Sequence, residues 1–179
     1  MAKTIDLLIP DLICDTVADV PFDSFWEKGV RVVAFDIDNT LVSYEALTPT
    51  PQVTAFLRDL EDRGFQIALL SNNSPERVRA FNDELGYFSV ADSHKPLKRA
   101  LLPVLAHFAV SAREVLLVGD QLLTDVLTAR RLGAWAVTVR PIKQKENLFF
   151  RFKRSLEKPF LRIYYRRKQK QQERKERKS

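Results

Sequence analysis

Apolar strand-like segments alternate with helical segments along most of this chain, and that alternation constrains its fold more than any other feature. The strand-like runs are residues 31–35, 66–70, 88–91, 114–118 and 134–139. Helical patterns cover 51–63, 75–85, a stretch after Lys95-Pro96 that we expect Pro103 to kink or interrupt, and a stretch ending near Leu132. Strands separated by helices form βαβ units, so we predict an α/β fold with a parallel sheet.

Polar residues follow three of these strands at the point where each strand ends. They are Asp36 and Asp38, then Ser71 and Asn72, then Gly119 and Asp120. Ligands of open α/β sheets bind beyond the carboxyl ends of the strands. Singly, Asp38-Asn39-Thr40 is typical of a turn with a helix cap, and the serines and asparagines of residues 71–74 are typical of a helix N-cap. Three such clusters at strand ends together favour a ligand site.

A divalent cation bound at this edge would offset the repulsion between Asp36 and Asp38. Both carboxylates and that of Asp120 could reach one Mg²⁺, which prefers oxygen ligands and usually keeps phosphate oxygens and water. One carboxylate could then attack phosphorus, and its neighbour two residues on could act as general acid and base. Ser71 and Asn72 could donate hydrogen bonds to the phosphoryl oxygens, and Lys95 could neutralise their charge.

The motifs that carry this chemistry resemble those of the haloacid dehalogenase (HAD) superfamily. The matching residues are Asp36, Asp38, Asn39, Thr40, Ser71, Lys95, Gly119, Asp120 and Asp125. The resemblance implies a HAD-like Rossmannoid three-layer sandwich and a phosphatase. It implies Asp36 as nucleophile, Asp38 as acid and base, and Thr40, Ser71, Asn72 and Lys95 around the phosphoryl group. It further implies that the Asp36 side chain, the Asp38 main-chain carbonyl and Asp120 hold Mg²⁺, with Asp125 holding Lys95 or a metal-bound water.

The gaps between the motifs leave no room for a domain covering the site. Asp36 and Ser71 are separated by 34 residues, which a loop and one helix use up, and Ser71 and Lys95 by 23 residues. We therefore expect no cap domain and an open site, which favours a large or surface-bound substrate over a small metabolite.

The charge is divided along the chain, which carries a net charge of +6 overall. Residues 1–139 carry 13 Lys/Arg and 19 Asp/Glu, whereas residues 140–179 carry 16 Lys/Arg and 4 Asp/Glu. We predict a phosphatase domain over 1–140 and a basic amphipathic segment over 141–179, partly helical with a flexible end. Its apolar positions, spaced as on one helix face that Pro159 should break or kink, are Phe149, Phe152, Leu156, Phe160 and Ile163.

An aromatic face beside basic residues is typical of a helix lying on an anionic membrane, here through residues 148–168. Alternatively, the aromatic face packs on the body and leaves a solvated basic tail. Nucleic-acid binding by the basic run is a third interpretation, but no RNA-binding motif accompanies it, so we expect no nucleic-acid partner.

A closer resemblance covers residues 5 to about 165, including the stretch "GDQLLTDVLTARRLGAWAVTVRPI" and the stretch "NLFFRFKRSLEK". These resemble the YqeG-type, subclass IIIA phosphatases, a family similar to the phosphatidylglycerophosphate phosphatases. The resemblance implies release of phosphate from phosphatidylglycerophosphate to give phosphatidylglycerol. The single cysteine favours a reducing compartment, so we expect a cytoplasmic enzyme peripheral on the inner face of the membrane. The alternatives are a phosphatase of phosphoproteins or nucleotides, and a non-catalytic protein binding nucleic acid or the ribosome.

Overall fold

Six parallel strands form one sheet in a computed structural model, which describes residues 4–143 and 148–176. The strands are β1 (Leu12–Cys14), β2 (Val32–Phe35), β3 (Gln66–Leu70), β4 (Phe88–Val90), β5 (Val115–Gly119) and β6 (Trp135–Val139). Their order across the sheet is β1-β6-β5-β2-β3-β4. The chain therefore fills the sheet in one direction from β2 to β4 and in the other from β5 to β6, while β1, the first strand in sequence, pairs with β6 at the edge. The predicted parallel α/β sheet is confirmed.

Helices connect the strands and close both faces of the sheet. They are α1 (Phe22–Glu27), α2 (Pro51–Asp62), α3 (Pro75–Asn82), α4 (Leu102–Phe108), α5 (Leu127–Leu132) and α6 (Leu148–Glu176), with one π-helical turn at Leu122–Val126 and short 3₁₀ turns at Thr4–Leu8, Val17–Asp19, Lys98–Ala100 and Ala112–Glu114. Thr50 caps α2 by accepting from the Val53 amide, and Ser74 caps α3 in the same way, each just before a proline.

Two apolar cores, one on each face, stabilise these three layers. Phe22, Phe35, Leu57, Leu60 and Phe81 are among the buried side chains of the first core, which α1, α2 and α3 cover. A second core contains side chains from α4, the π-helical turn and α5, including Leu101, Val104, Leu122, Val126 and Ala129. Strands β2 and β5 are buried throughout, as both faces of a central parallel strand should be.

One expectation about a proline was wrong. Pro103 does not kink or interrupt a helix, because α4 begins at Leu102 and holds Pro103 in its first turn, where the missing amide proton costs nothing. Helix α6 continues through Pro159 without the break that was one of the two expectations there, and a kink at this residue stays a prediction. Strand β1 and helix α1 are elements that the sequence pattern did not predict.

Helix α6 packs on the body of the protein. Phe160 and Leu161 contact the second core, the hydroxyl of Tyr164 accepts from the Ile13 amide at 3.1 Å, and Arg167 pairs with Asp6 at 2.7 Å. Leu156, predicted on the apolar face, is 46% exposed. The side chains of residues 148–154, including Phe149 and Phe152, lie outside the described residues. The division of the chain at residue 140 stays a prediction.

No cap domain lies between the motifs. Residues 37–94, all of which the structure describes, contain only α2, β3, α3 and β4 with their loops. The predicted absence of an inserted cap is therefore confirmed for this part of the chain.

Candidate active site

The site lies where the direction of strand addition reverses, beyond the carboxyl end of β2. This strand lies between β5 and β3, and the Asp36 amide that follows it still donates to the Val118 carbonyl at 2.9 Å. That bond holds the Asp36 backbone against the end of β5. Ligands of open α/β sheets bind at such a reversal point.

A buried lysine joins the ends of the central strands. The Lys95 ammonium donates to Asp36 Oδ1 at 2.6 Å, Asp125 Oδ1 at 2.7 Å and the Leu70 carbonyl at 2.8 Å. All three ammonium protons therefore have an acceptor, and the Lys95 side chain is only 2% exposed. Lys95 and Asp125, far apart in sequence, meet Asp36 as the motif pattern predicts.

Burial and the opposite charges shift both members of this pair. Burial raises the pKa of Asp36 from 3.8 to about 6, although the Lys95 ammonium opposes the rise. Burial lowers the pKa of Lys95, but the Asp125 and Asp36 carboxylates outweigh it and leave that pKa above its ordinary value. Near neutral pH, therefore, Lys95 is charged and Asp36 is mostly ionised.

Asp125 reaches Lys95 because residue 119 is a glycine. A β-carbon built on Gly119 would lie 2.3 Å from Asp125 Cγ, so the carboxylate occupies the space that any other residue would need. Asp125 Oδ2 also accepts from the Gln121 amide at 3.1 Å and from the Thr124 hydroxyl at 3.2 Å. These contacts fold the loop after β5 back over the end of its own strand.

Three buried carboxylates converge beside Lys95. Asp36, Asp120 and Asp125 each offer an oxygen, and these atoms all lie within 4.8 Å of one another. The negative charges in this cluster exceed the single ammonium by two. A divalent cation with oxygen ligands would balance that excess, so the residues fit Mg²⁺.

Asp38 is held by two side chains outside this cluster. Its Oδ2 accepts from Asn73 Nδ2 at 2.7 Å and its Oδ1 from Arg77 Nη2 at 3.0 Å. Arg77 also donates to the carbonyls of Ala46 and Leu47, at 2.6 and 2.9 Å. Arg77 therefore ties the acid to α3 and to the loop that follows β2.

A left-handed residue turns the chain between Asp38 and Thr40. Asn39 has φ 64°, which asparagine tolerates better than most residues, and its amide donates to the Val42 carbonyl at 2.7 Å. The turn brings the Thr40 hydroxyl back to Asp36 Oδ2 at 3.2 Å. Thr40, predicted to bind substrate, thus directly contacts the predicted nucleophile.

Ser71 and Asn72 lie beyond the end of β3, as predicted, with different contacts. Ser71 is buried and its Oγ accepts from the Asn73 amide at 3.1 Å. The Asn72 amide group bonds the loop that carries Lys95: Oδ1 accepts from the Lys95 amide and the Ser93 hydroxyl, both at 2.8 Å, and Nδ2 donates to the Lys95 carbonyl at 3.0 Å. Asn72 therefore holds the Lys95 backbone in place.

Sequence reasoning missed three residues of this neighbourhood: Asn73, Arg77 and Glu157. Asn73 and Arg77 hold Asp38, and buried Glu157 of α6 accepts from the Leu123 amide in the loop between Asp120 and Asp125. The sequence does single out Glu157 in one respect: it is the only acidic residue between Glu146 and Glu173, within a strongly basic stretch.

A lipid substrate raises the question whether the chain itself crosses a membrane. Among the residues that the structure describes, no helix combines the length and the apolar character that crossing a bilayer requires.

Two curated proteins are similar to most of this chain. The protein named "Probable phosphatase YqeG" of Bacillus subtilis (strain 168) is 28% identical over 153 residues, which are 86% of this chain and 89% of that protein. An Arabidopsis thaliana protein named "Phosphatidylglycerophosphate phosphatase 1, chloroplastic/mitochondrial" is 24% identical over 158 residues, which are 83% of this chain and 45% of that protein. This chain thus spans less than half of the plant protein.

The fold and the family are established by two further findings. The crystal structure of a HAD phosphatase from Thermococcus onnurineus superposes with a TM-score of 0.51 at 18% identity, covering 66% of this chain and 90% of that one. Residues 42–133, which include Ser71, Lys95, Asp120 and Asp125, match the model of the hydrolase family described as haloacid dehalogenase-like hydrolase. The resemblance read from the motifs is thereby confirmed, and the chain belongs to the haloacid dehalogenase-like hydrolases.

Proposed function

We propose that this protein is a Mg²⁺-dependent phosphomonoester hydrolase in which Asp36 forms a transient aspartyl-phosphate. The observation that carries the proposal is the Lys95 ammonium, 2.6 Å from Asp36 Oδ1 and 2.7 Å from Asp125 Oδ1, within a buried set of three carboxylates. A buried carboxylate beside a fixed positive charge is suited to attack a phosphoryl group whose own charge that cation offsets.

The reaction has two displacement steps at phosphorus. First, an oxygen of Asp36 bonds to phosphorus while the bond from phosphorus to the ester oxygen breaks, and Asp38 gives its proton to the departing oxygen. Then Asp38 takes a proton from water, whose oxygen bonds to phosphorus while the bond to Asp36 breaks. Inorganic phosphate leaves and both aspartates return to their initial states. The Ser71 hydroxyl, Thr40 and Lys95 orient the phosphoryl group and the nucleophile.

The metal would be held by the Asp36 and Asp120 side chains and by the Asp38 main-chain carbonyl. When bound, Mg²⁺ supplies positive charge that draws the phosphate in and offsets the charge of the crowded carboxylates. Asp125 positions Lys95 and the loop after β5, through the contacts to Lys95 and to the Gln121 amide.

We propose a phospholipid monoester, phosphatidylglycerophosphate, as the substrate. The similarity to the Arabidopsis phosphatidylglycerophosphate phosphatase supports this choice. The lack of a cap between residues 37 and 94 also supports it, because an uncovered site can reach a phosphate at the surface of a bilayer.

Three exposed apolar side chains next to the site support contact between this part of the protein and a lipid surface. Tyr44, Leu47 and Ile142, which we call the rim, are 47%, 62% and 55% exposed. Their segments adjoin the site: the Ile142 amide donates to the Asn39 carbonyl at 3.0 Å, and the Leu47 carbonyl accepts from Arg77. Exposed apolar side chains next to an open site are suited to an interface with lipid.

Basic side chains on α6 complement an anionic membrane. Exposed residues recur every fourth position, at Lys158, Arg162, Arg166, Lys170 and Arg174. At 100° per residue, Lys158, Arg162 and Arg166 lie on the side of α6 away from Glu157, Phe160 and Tyr164, which face the protein. Each basic residue near an anionic surface adds about 1 kcal/mol of attraction.

The decisive experiment measures phosphate release from phosphatidylglycerophosphate in mixed micelles with Mg²⁺. Wild-type protein should release phosphate, and Asp36→Asn or chelation of the metal should abolish the release. Asp83→Asn, at an exposed position outside the site, is the matched control and should stay active. Turnover of a soluble aryl phosphate without turnover of the lipid would refute the lipid assignment and favour a phosphoprotein or nucleotide substrate.

A second experiment tests the rim separately from catalysis. Tryptophan fluorescence with anionic vesicles containing brominated lipid should be quenched in Leu47→Trp and unchanged in Leu102→Trp, relative to wild type. Leu102 is 48% exposed and lies on α4, so it serves as the control. Equal quenching in both variants would contradict contact through the rim.

A further inference from the structure

One buried charge lies outside the motif residues. Within the described residues, the buried charged side chains are Asp36, Lys95, Asp120, Asp125 and Glu157. The first four form the site. Glu157 is 5% exposed and belongs to α6, far from the motifs in sequence. Burying a carboxylate is costly unless strong hydrogen bonds compensate it, so its location needs an explanation.

Glu157 contacts the loop that carries two carboxylates of the cluster. Glu157 Oε1 accepts from the Leu123 amide at 3.1 Å. Leu123 lies between Asp120 and Asp125, in the first turn of the helical segment that begins at Leu122. Amides in a first helical turn have no partner within the helix, and that end carries partial positive charge. A carboxylate from another helix supplies the missing acceptor.

The turn that Glu157 contacts is irregular. Residues Leu122–Val126 form a π-helical turn rather than an α-helical one, and Asp125 bends back from it towards Lys95. Such turns occur frequently at functional sites and need local support, since they are rarer and less regular than α-helix. The Leu123 contact provides such support between the two carboxylates of this loop.

Glu157 is itself held firmly in its position. Phe160 and Leu161, three and four residues further along α6, pack against the second core. Two turns after Glu157, the Tyr164 hydroxyl accepts from the Ile13 amide. Contacts to the second core and to the edge strand β1 therefore fix the position of α6, and with it the position of the Glu157 carboxylate.

We infer that Glu157 is a positioning residue for the site and that α6 thereby helps to set the geometry of the site. By holding the Leu123 amide, Glu157 keeps the loop of Asp120 and Asp125 in the geometry that converges on Asp36. The inference rests on the proposed function for its link to Mg²⁺ and turnover. The contact predicts that loss of Glu157 weakens Mg²⁺ binding and lowers kcat, with little change in KM for a soluble aryl phosphate.

Three substitutions at Glu157 separate the effect of side-chain length from the effect of charge. Glu157→Gln keeps the side-chain length and an acceptor oxygen, Glu157→Asp keeps the charge but is shorter by one methylene, and Glu157→Ala has neither. Glu173→Gln, at an exposed position on the same helix, is the matched control. The full chain is titrated with Mg²⁺ without substrate, with the thermal unfolding midpoint as readout, and kcat and KM are then measured.

We expect the Mg²⁺ concentration at half-saturation to rise about tenfold or more in the Ala and Asp variants, the scale of one lost hydrogen bond to a charged group. Glu157→Gln should restore most of the wild-type value. A loss in Glu157→Gln as well would still support the positioning role and assign part of it to charge. Half-saturation equal to that of Glu173→Gln in all three variants would overturn the inference.

A metal-independent readout keeps the inference testable if the proposed function fails. Hydrogen exchange of amides 120–126, measured by mass spectrometry in chelator, should be about tenfold faster in Glu157→Asp than in wild type. Unchanged exchange in this segment would overturn the inference, whatever the activity. Faster exchange in a protein that hydrolyses no phosphate ester would instead refute the proposed function and leave the contact established.

Discussion

Replacing Asp36 with asparagine is expected to stabilise the metal-free protein at neutral pH. Asp36 is buried, and burial raises its pKa to about 6 even though the Lys95 ammonium lies 2.6 Å away. Asparagine keeps the shape and an acceptor oxygen for Lys95, and it carries no charge. Lys95 also retains its contact to Asp125.

The size of the effect follows from the difference between the folded and ordinary pKa values. A rise from 3.8 to about 6 is about 2 units, and each unit corresponds to about 1.4 kcal/mol. The folded protein therefore binds this proton more tightly than the unfolded chain does. The contribution of Asp36 protonation to stability is fully present below about pH 4 and is lost as the pH rises to about 6, by about 3 kcal/mol in total. Asp36→Asn should be more stable than wild type by up to that amount at pH 7.5.

The assay is urea unfolding of both proteins in chelator, at pH 7.5 and near pH 4. The stability difference should be present at the higher pH and nearly absent at the lower one. Added Mg²⁺ at 100 times its Kd should remove most of this difference at pH 7.5, because it stabilises the wild type by about 2.7 kcal/mol and the variant lacks a ligand. Asp83→Asn controls for a general change in acidic charge.

Either of two results would refute the reasoning. Asp36→Asn could be less stable than wild type at pH 7.5 in chelator, which would mean that the pair with Lys95 outweighs the cost of burial. A stability difference that does not change between pH 4 and 7.5 would mean that Asp36 does not titrate in this range.

Three further substitutions test individual contacts of the site. Gly119→Ala should cost about 1–3 kcal/mol of stability and most of the turnover, because the new β-carbon would meet Asp125 Cγ at 2.3 Å; unfolding curves and kcat check this. Lys95→Met should cost about 3–5 kcal/mol at neutral pH, and less at pH 5 where Asp36 gains a proton, as measured by urea unfolding at both pH values. Arg77→Lys should lower kcat about tenfold with KM nearly unchanged, because lysine cannot reproduce the planar donor set that holds Asp38 and two carbonyls; steady-state kinetics would contradict this if only KM moved.

The central strands and the strand-end cluster were predictable from local pattern. The buried strands β2, β3 and β5 are continuous apolar runs in the sequence, and polar residues mark their ends. Because parallel strands share one carboxyl edge, the residues after them had to meet, and Asp36, Lys95 and Asp125 do meet. The motif pattern therefore predicted this part of the site without a structure.

Contacts that depend on the orientation of helices were not predictable in this way. Arg77 faces Asp38 only because α3 leaves the end of β3 in a particular direction, and no spacing in the sequence encodes that direction. Strand β1 has three residues, too few for a pattern, and it is defined by pairing with β6.

The docked face of α6 differs from the predicted one for a physical reason. The segment carries two overlapping apolar stripes: the predicted stripe included Leu156 and Ile163, whereas the side that contacts the body includes Glu157, Phe160 and Tyr164. Periodicity alone gives both stripes similar weight. The polar groups at the sheet edge and in the loop after β5 decide between them, since the Ile13 and Leu123 amides donate to side-chain oxygens, which Tyr164 and Glu157 supply.

The two faces of α6 lead to a last prediction, that Mg²⁺ and anionic membranes assist each other's binding. One face holds the loop of Asp120 and Asp125 through Glu157, and the opposite face carries the exposed basic residues Lys158, Arg162 and Arg166. If a membrane steadies α6 in its docked position, it must favour the loop geometry that binds the metal, and thermodynamic linkage makes the effect reciprocal. Vesicle affinity should then rise with Mg²⁺ by the same factor as Mg²⁺ affinity rises with vesicles, and Glu157→Asp should remove both effects while keeping the basic face. Vesicle affinity that is identical in Mg²⁺ and in chelator would mean that α6 binds the membrane and supports the site independently.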